Sequence, residues 1–263
     1  MQGVATGALG FGVAPGAQWI SGKIFNGAGY AAGDWIIAGM EWAMCPTAVS
    51  DVNATNPDCS RGADVVSCSW GVGEGNPLLS SAVQAWLDAG MVPVFAVGNA
   101  GTYGCQTVSS PADYTGVLSV GATQAKSKYN AALGDVVCAF SSRGPALVNR
   151  SDSRIFSDQV PSLVAPGYDI EGPSSTSDTG TAGFTGTSQA APHAAGAAAL
   201  VLSARPGVAP AEVAQALFGG ANTTVLQEPQ SPSTCAGVPW TTYPNFIAGY
   251  GVLDCTAALD GGR

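Results

Sequence analysis

Histidine and basic residues are scarce in this chain. Its 263 residues include one histidine, His193, and nine lysines and arginines against 18 aspartates and glutamates, so the net charge is −9. The few basic residues form no run, which argues against nucleic acid as a partner. A serine hydrolase would also need a histidine base, and His193 is the only residue of the chain that could be one.

Long apolar runs are also missing. Apolar residues make up 46% of the chain and charged residues 10%, but no run reaches the roughly 18 residues of a membrane span. The amino terminus, MQGVATGALGFGVAPG, lacks the basic and hydrophobic regions of a signal peptide. We expect no membrane partner, and we assign residues 1–263 to a single domain, whose length allows a substantial core.

Cysteines and glycosylation sequons are present and predict export. There are seven cysteines, and the acceptor asparagines are Asn53, Asn149 and Asn222. Cysteines that flank loops suggest the pairs Cys45–Cys59, Cys105–Cys138 and Cys235–Cys255, with Cys68 left as a buried thiol in an apolar strand. The alternative is seven free thiols in a cytosolic protein with chance sequons, because sequence alone does not fix connectivity.

Apolar patterning predicts alternating strands and helices. Strands are expected over 18–25, 63–69, 92–97 and 117–122, and helices over 33–44, 76–89, 188–204 and 210–218. The pattern predicts loops over 141–184 and irregular structure over 222–250. Near-continuous apolar strands between helices indicate an α/β fold of three layers, α/β/α, with a mostly parallel, doubly wound sheet.

One serine lies where a nucleophile would be expected. Residues 186–196 read GTSQAAPHAAG, which places Ser188 after two small residues at the start of an Ala-rich helix, the positive end of a helix dipole. His193 lies about 140° further around the helix, at roughly 100° per residue. It therefore points away from Ser188 and is not its base.

Two further segments end predicted strands. Ser69-Trp70-Gly71 follows one strand and Gly98-Asn99 follows the next, and the carboxyl ends of parallel strands meet at one edge of the sheet. An Asn amide and a backbone N–H at a helix start are the donors that an oxyanion needs. Taken alone, Gly-Asn after a strand favours an ordinary turn.

Together these segments resemble the subtilases, the subtilisin-like serine proteases. GTSQAAPHAAGAAAL resembles their nucleophile helix, VPVFAVGNAG their oxyanion strand and ADVVSCSWG their substrate-binding strand. GFGVAPGAQWISGKIF, FSSRGP and LVAPGYDI resemble further family stretches, and several segments are particularly similar to the bacillopeptidase F branch. The resemblance runs in family order from about residue 3 to residue 258.

The resemblance implies a peptide-bond hydrolase that works through an acyl-enzyme. It implies Ser188 as nucleophile, Asn99 as oxyanion amide, Gly98 as a wall of the pocket for the residue before the scissile bond, and Ser69, Trp70 and Gly71 as the edge that pairs with extended peptides. His193 becomes a packing residue. A protein or peptide substrate and a propeptide are the implied partners.

No cofactor is expected from the resemblance. Family members often bind structural calcium, but no ligand cluster is assignable, and the loop acids Asp152, Asp158 and Asp169 are interpreted as solvated. The side-chain preference of the pocket is left open, although its small residues allow a roomy pocket. We expect its floor to lie within 141–184.

Two departures from the family pattern concern the rest of the catalytic machinery. The family's Asp-Ser/Thr-Gly and His-Gly-Thr-His stretches are absent, whereas residues 2–7 resemble the small-residue run that follows that histidine. We therefore expect the histidine to belong just upstream of Met1. Asp178-Thr179-Gly180 spells the aspartate motif, but it precedes the nucleophile, and we interpret Asp178 as part of a loop turn.

Two hypotheses account for these departures. The chain is either the carboxyl-terminal part of a secreted subtilase, truncated at its amino terminus, or a non-catalytic secreted subtilase-like glycoprotein that binds extended peptides. Under both we expect these 263 residues to be inactive as they stand. A dinucleotide-binding protein would need a Gly-x-Gly-x-x-Gly turn after a strand, and an α/β-hydrolase would need a glycine at position 190; neither is present.

Overall fold

A computed structural model describes residues 5, 12–48, 50–51, 53, 55–125, 135–147, 159–177, 179–229 and 232–260. Five of the features predicted from the sequence fall outside these residues: the sequon at Asn149, the acids Asp152 and Asp158, the Asp178 turn, and most of the run 2–7.

The helices match the sequence pattern closely. They are α1 (Gly33–Met44), α2 (Ser80–Asp88), α3 (Thr187–Ala204), α4 (Pro210–Gly220) and α5 (Cys255–Leu259). Helix α2 begins later than the predicted residue 76. Asn76 instead caps a turn that precedes the helix: its Oδ1 accepts from the Leu78 N–H (3.0 Å), and its side-chain amide donates to Val72 O (3.2 Å). Gly90, at φ +79°, ends the turn after α2.

Within the described residues, nine strands form one large sheet and two hairpins. The strands are β1 (Val65–Cys68), β2 (Val92–Ala96), β3 (Leu118–Ala125), β4 (Asp135–Val137), β5 (Leu163–Pro166), β6 (Ile170–Pro173), β7 (Thr181–Phe184), β8 (Thr234–Cys235) and β9 (Val238–Pro239). In the large sheet β1, β2, β3 and β5 run parallel, and β4 pairs antiparallel with the end of β3. The pairs β6–β7 and β8–β9 form the hairpins.

The first face of the sheet, called here the alanine face, is covered by α3, α4 and α5. Its sheet residues are Val92, Val94, Ala96, Leu118, Val120, Ala122, Leu163 and Ala165, and α3 buries Ala190, Ala191, Ala194, Ala195, Ala197 and Ala198 against them. Because successive strand residues point to opposite faces, every second residue of β2 faces α3.

The second face, called here the aromatic face, carries larger side chains. Phe95 packs there with Trp86 of α2 and Met40 of α1. Further along the sheet Val164 packs with Ile247 and Val137. Helices on both faces of a mostly parallel sheet confirm the predicted three-layer α/β/α fold.

Two parts of the sequence interpretation were wrong. The predicted strand over 18–25 is not one of the strands of the described residues, and its Trp19 and Ile20 side chains are exposed. The segment 141–184, predicted as loop, contains β5, β6 and β7. These strands are four residues long and together contain two Gly and two Pro, so their pattern resembles that of a loop. Strand β4 was not predicted either.

The disulfides are partly as expected. Cys45–Cys59 is confirmed. The pairs Cys105–Cys138 and Cys235–Cys255 were wrong, because Cys105 bonds to Cys235, 130 residues away. Cys138, buried on the alanine face, and Cys255, the first residue of α5, are free thiols. Cys68 is a free, buried thiol as predicted.

Candidate functional site

The start of α3 is tied to the carboxyl end of β2. Asn99 Oδ1 accepts two hydrogen bonds from Thr187, one from its N–H (3.0 Å) and one from its hydroxyl (3.1 Å). The Gly98 N–H donates to Thr187 Oγ1 (3.2 Å). Two segments that are 88 residues apart in sequence therefore meet where the sequence predicted, and Asn99 occupies the position of a helix cap.

Two hydrogen-bond donors stay free beside this junction. Asn99 uses its oxygen to hold Thr187, so its Nδ2 amide is left without an acceptor among the described residues. The Ser188 N–H is one of the first amides of α3, which lack intrahelical acceptors. Gly186 keeps the space open, because a Cβ at that position would lie 3.4 Å from Asn99 Nδ2. Free donors at a helix start can bind a negatively charged oxygen.

Ser188 and Ser69 exchange hydrogen bonds. The Ser69 hydroxyl donates to the Ser188 carbonyl (2.8 Å), and the Ser188 hydroxyl donates to the Ser69 carbonyl over a longer 3.4 Å. The first bond has the usual hydroxyl–carbonyl length, whereas the second is weak. The Ser188 hydroxyl is therefore half-buried, loosely held and hydrogen-bonded to a backbone oxygen that is no base.

His193 is engaged within its own helix. Its Nδ1 donates to the Gln189 carbonyl (2.8 Å). Burial lowers the pKa of His193 below its usual value, and the bond to Gln189 only partly opposes this shift. The ring is a neutral packing group of α3, as the helical angle predicted, and it is the only histidine in the sequence.

The segment 69–71, predicted to bind peptides, is held by ring packing on β2 and by the backbone hydrogen bonds that follow it. Trp70 is half-buried and packs edge-on against Phe95, with ring centroids 5.6 Å apart. The Val72 N–H donates to Ser110 O and the Ser110 N–H to Gly73 O, both at 2.8 Å. These bonds hold the chain after β1 in an extended course.

Ser110 is held in turn by a buried carboxylate. Asp113 Oδ2 accepts from Ser110 Oγ and from the Gly75 N–H, both at 2.9 Å. Neither residue was identified from the sequence. SSPAD resembles an ordinary polar turn, and only the tertiary structure brings it against the segment that follows β1.

Ser109 closes the space between the two glycines of the predicted pocket. A Cβ on Gly98 would lie 2.9 Å from Ser109 Oγ and 3.0 Å from Ser142 Oγ, and a Cβ on Gly71 would lie 2.9 Å from Ser109 Cβ. Gly98 also has φ +103°, which favours glycine. Ser109 thus lies against both glycines, and Ser142, which falls within 141–184, lies beside Gly98. The size of the pocket and the position of its floor stay predictions.

The described part of the chain contains no candidate metal site. Among the described residues, no group of three or more histidines, cysteines or acids lies close enough to hold a metal ion. Within the same residues, no helix combines the length and apolarity needed to cross a bilayer.

Comparison with known proteins identifies the class. A family model described as "Subtilase family" matches residues 2–251. The arrangement of α3 against the ends of β1 and β2 and this match together define a subtilisin-like serine protease domain. The chain belongs to the subtilase family, as the sequence motifs predicted.

Individual relatives agree with that assignment. Bacillopeptidase F of Bacillus subtilis (strain 168) is 32% identical over 252 residues, covering 94% of this chain and 15% of the relative. Subtilisin E of the same organism is 34% identical over 197 residues, 74% of this chain and 41% of the relative. Serine protease AprX, also from that organism, is 33% identical over 229 residues, 83% of this chain and 49% of the relative. The chain thus spans less than half the length of each of these relatives.

A solved structure shares the fold. Sphericase superimposes with a TM-score of 0.66 at 22% identity, covering 88% of this chain and 66% of that structure. At this identity the likeness concerns the fold alone.

Proposed function

We propose that this chain carries the nucleophile, the oxyanion donors and the peptide-binding edge of a serine endopeptidase. The observation that supports this most is that Asn99 Oδ1 accepts two hydrogen bonds from Thr187, the residue before Ser188, which leaves the Asn99 amide available as a donor at the start of α3. In this proposal Ser188 Oγ attacks the scissile carbonyl, and the Asn99 amide and the Ser188 N–H bind the resulting oxyanion. The amine leaves with a proton, and water hydrolyses the acyl-enzyme.

The proton that Ser188 loses needs an acceptor, and His193 does not supply one. Its ring lies on the other side of the helix and is bonded to Gln189. We therefore propose that these 263 residues alone do not turn over peptides at the rate of a complete triad. Oxyanion binding without the triad still leaves about 10³–10⁴-fold over the reaction in water.

The test uses a fluorophosphonate, which forms an oxyanion-like adduct with a nucleophilic serine. We expect slow labelling of the chain, confined to Ser188 and accelerated by added imidazole as an external base. Asn99→Ala should slow that labelling about 100-fold, the usual cost of losing one oxyanion donor. Ser203→Ala, an exposed change at the far end of α3, is the control. Labelling that persists in Ser188→Ala would refute the assignment of the nucleophile.

We also propose that the substrate is an extended peptide with a small side chain before the scissile bond. Its backbone pairs with Ser69–Gly71, which the Ser110 bonds keep extended. Its side chain enters between Gly71 and Gly98, where the Ser109 side chain leaves little room.

A second candidate function is peptide binding without cleavage. It is favoured by the Ser188 hydroxyl, which donates to a backbone carbonyl rather than to a base. Both candidates predict the same peptide edge, but only the first predicts covalent reaction at Ser188. Incubation of the chain with a labelled peptide, followed by mass spectrometry, separates binding from cleavage.

Peptides that end in a carboxylate test the pocket for either candidate. We expect peptides ending in Ala to bind more tightly than peptides ending in Phe. Ser109→Gly should narrow that difference by enlarging the pocket, whereas Ser109→Ala, which keeps the Cβ beside Gly71 and loses only the Oγ beside Gly98, should narrow it less. A ratio of dissociation constants that is the same in all three proteins would rule out Ser109 as the residue that limits side-chain size.

We further propose that the protein is secreted and acts outside the cytosol, with a propeptide as a further partner. Two disulfides among the described residues are typical of an oxidising compartment. Glycosylation at the exposed Asn53 is part of the same proposal. Intact mass before and after glycosidase treatment of protein secreted from eukaryotic cells tests it, and an unchanged mass would contradict glycosylation.

A further inference from the structure

Helix α3 contains a proline one turn after Ser188. In a regular α-helix the N–H of residue 192 would donate to the carbonyl of residue 188. Pro192 has no N–H, so the Ser188 carbonyl loses its helical donor. A carbonyl in this half-buried position is costly to leave without a partner.

The replacement donor comes from the sheet. The Ser69 hydroxyl lies 2.8 Å from the Ser188 carbonyl oxygen, although the two residues are 119 positions apart. Ser69 directly follows β1, whose last residue is the buried Cys68. The bond therefore fixes the first turn of α3 to the carboxyl end of β1, which a bond within the helix would not do.

We propose that the Ser69 hydroxyl is a positioning group for Ser188, and that it supplies from the sheet the hydrogen bond that Pro192 removes from the helix. The backbone of Ser69 remains part of the proposed peptide-binding edge. One residue therefore positions the peptide through its backbone and Ser188 through its hydroxyl. The inference rests on the proposed function for its importance, because Ser188 is the proposed nucleophile. The geometry itself can be tested without turnover.

A single NMR signal reports this bond. Ser188-Gln189 is the only Ser-Gln pair in the sequence, so carbonyl-¹³C serine combined with ¹⁵N glutamine gives one resonance for the Ser188 carbonyl. A carbonyl carbon moves upfield when its oxygen loses a hydrogen bond. Ser69→Ala should shift this signal upfield, and Ser69→Thr, which keeps the hydroxyl, should leave it near the wild-type position.

Pro192→Ala provides the matching rescue. It restores an N–H at position 192, so the Ser188 carbonyl regains a helical donor and no longer depends on Ser69. We expect Ser69→Ala to lower the folding equilibrium constant about five- to tenfold, the usual effect of one lost hydrogen bond. In the Pro192→Ala background the same change should cost less than about twofold, and the carbonyl signal should stay downfield.

Ser67→Ala is the control, because Ser67 is exposed on the same strand and its side chain makes no hydrogen bond to any described residue. Should Ser69→Ala not fold, Ser69→Cys, with a weaker donor, should give a smaller upfield shift. An unmoved signal in Ser69→Ala, or in Ser69→Cys if the alanine variant does not fold, overturns the proposal, as does an equal loss of stability in both backgrounds. Labelling of Ser188 by the fluorophosphonate tests the proposed function separately. The positioning role of Ser69 and the function of Ser188 can therefore be refuted independently of each other.

Discussion

The two faces of the sheet are packed by different means. The alanine face holds α3 through small side chains that bring helix and sheet close together, and neither disulfide reaches it. The aromatic face uses Trp86, Phe95 and Met40, and both disulfides lie on that side, one directly after α1 and one beside the Val164 cluster. The proposed nucleophile, Ser188, belongs to the helix that packs on the alanine face through small side chains. The proposed peptide-binding edge packs, through Trp70, on the aromatic face, where large side chains and disulfides provide the stability.

Removing the disulfides one at a time tests how much the aromatic side depends on cross-links. Cys105–Cys235 closes a loop of 130 residues and Cys45–Cys59 one of 14. Chain entropy predicts losses of about 5 and about 3 kcal/mol when both cysteines of a pair become serine. Urea unfolding of the two double variants measures the difference of about 2 kcal/mol. Equal losses would show that loop length does not govern the contribution of the cross-links.

Trp86 tests the contribution of large side chains. It is 1% exposed, stacks on Phe95 and donates through Nε1 to Met40 O (2.9 Å). Trp86→Ala should lower the free energy of unfolding by about 3–5 kcal/mol. Trp35→Ala, at a residue that is 48% exposed on α1, is the control and should cost far less. Similar losses in a urea titration followed by circular dichroism would contradict the account of this face.

Ala194 tests the opposite mode of packing. It is fully buried between α3 and the sheet, so Ala194→Leu should overpack the face and cost about 1–3 kcal/mol. Ala204→Leu places the same side chain at the exposed end of α3 and should be nearly neutral. If both variants unfold at the wild-type urea concentration, the face is not closely fitted.

His193 tests the electrostatics of the alanine face and should give the smallest effect. Burial holds its pKa in the folded state below the unfolded value of about 6.5. The unfolded chain therefore binds a proton first, and stability is retained above that pH and falls as the pH drops below it. Each unit of lowered pKa contributes about 1.4 kcal/mol.

His193→Gln should flatten this part of the stability profile. Other titrating groups, such as Asp135, whose pKa is raised by burial, remain in both proteins and cancel in the difference. Urea midpoints between about pH 7 and pH 5 give the two slopes. A wild-type slope that survives in His193→Gln would assign the dependence to another group.

The regular parts of the fold were predictable because their signals are local. Helices α1, α3 and α4 show apolar spacing and clear stop residues, and the apolar strand β2 is bounded by Gly90 and Gly98. Segment 18–25 contains Trp, Ile and Phe, which are frequent in strands, but a strand also needs a neighbouring strand, which the sequence does not reveal. The same limit explains Cys105–Cys235, since its two cysteines are 130 residues apart in sequence and only the tertiary structure brings them together.

The candidate site also contains residues that the sequence pointed to and residues that it did not. Ser188 and Asn99 were identified because each lies in a distinctive segment at the end of a predicted element. Ser109, Ser110 and Asp113 lie in a polar turn without such a signal, and their position became evident only when the turn was placed against Gly71 and Gly98. The role proposed for the Ser69 hydroxyl depends on a distance across 119 residues, although Pro192 alone showed that a helical donor was missing.

Alanine has no side-chain torsion angles, and this has a consequence for the alanine face. A helix that rests on leucines can settle in several rotamer combinations, each with a slightly different height above the sheet. The buried alanines of α3 lose almost no side-chain entropy on folding and offer no alternative rotamers. The backbone on which the proposed nucleophile Ser188 lies therefore rests on side chains that have little conformational freedom of their own.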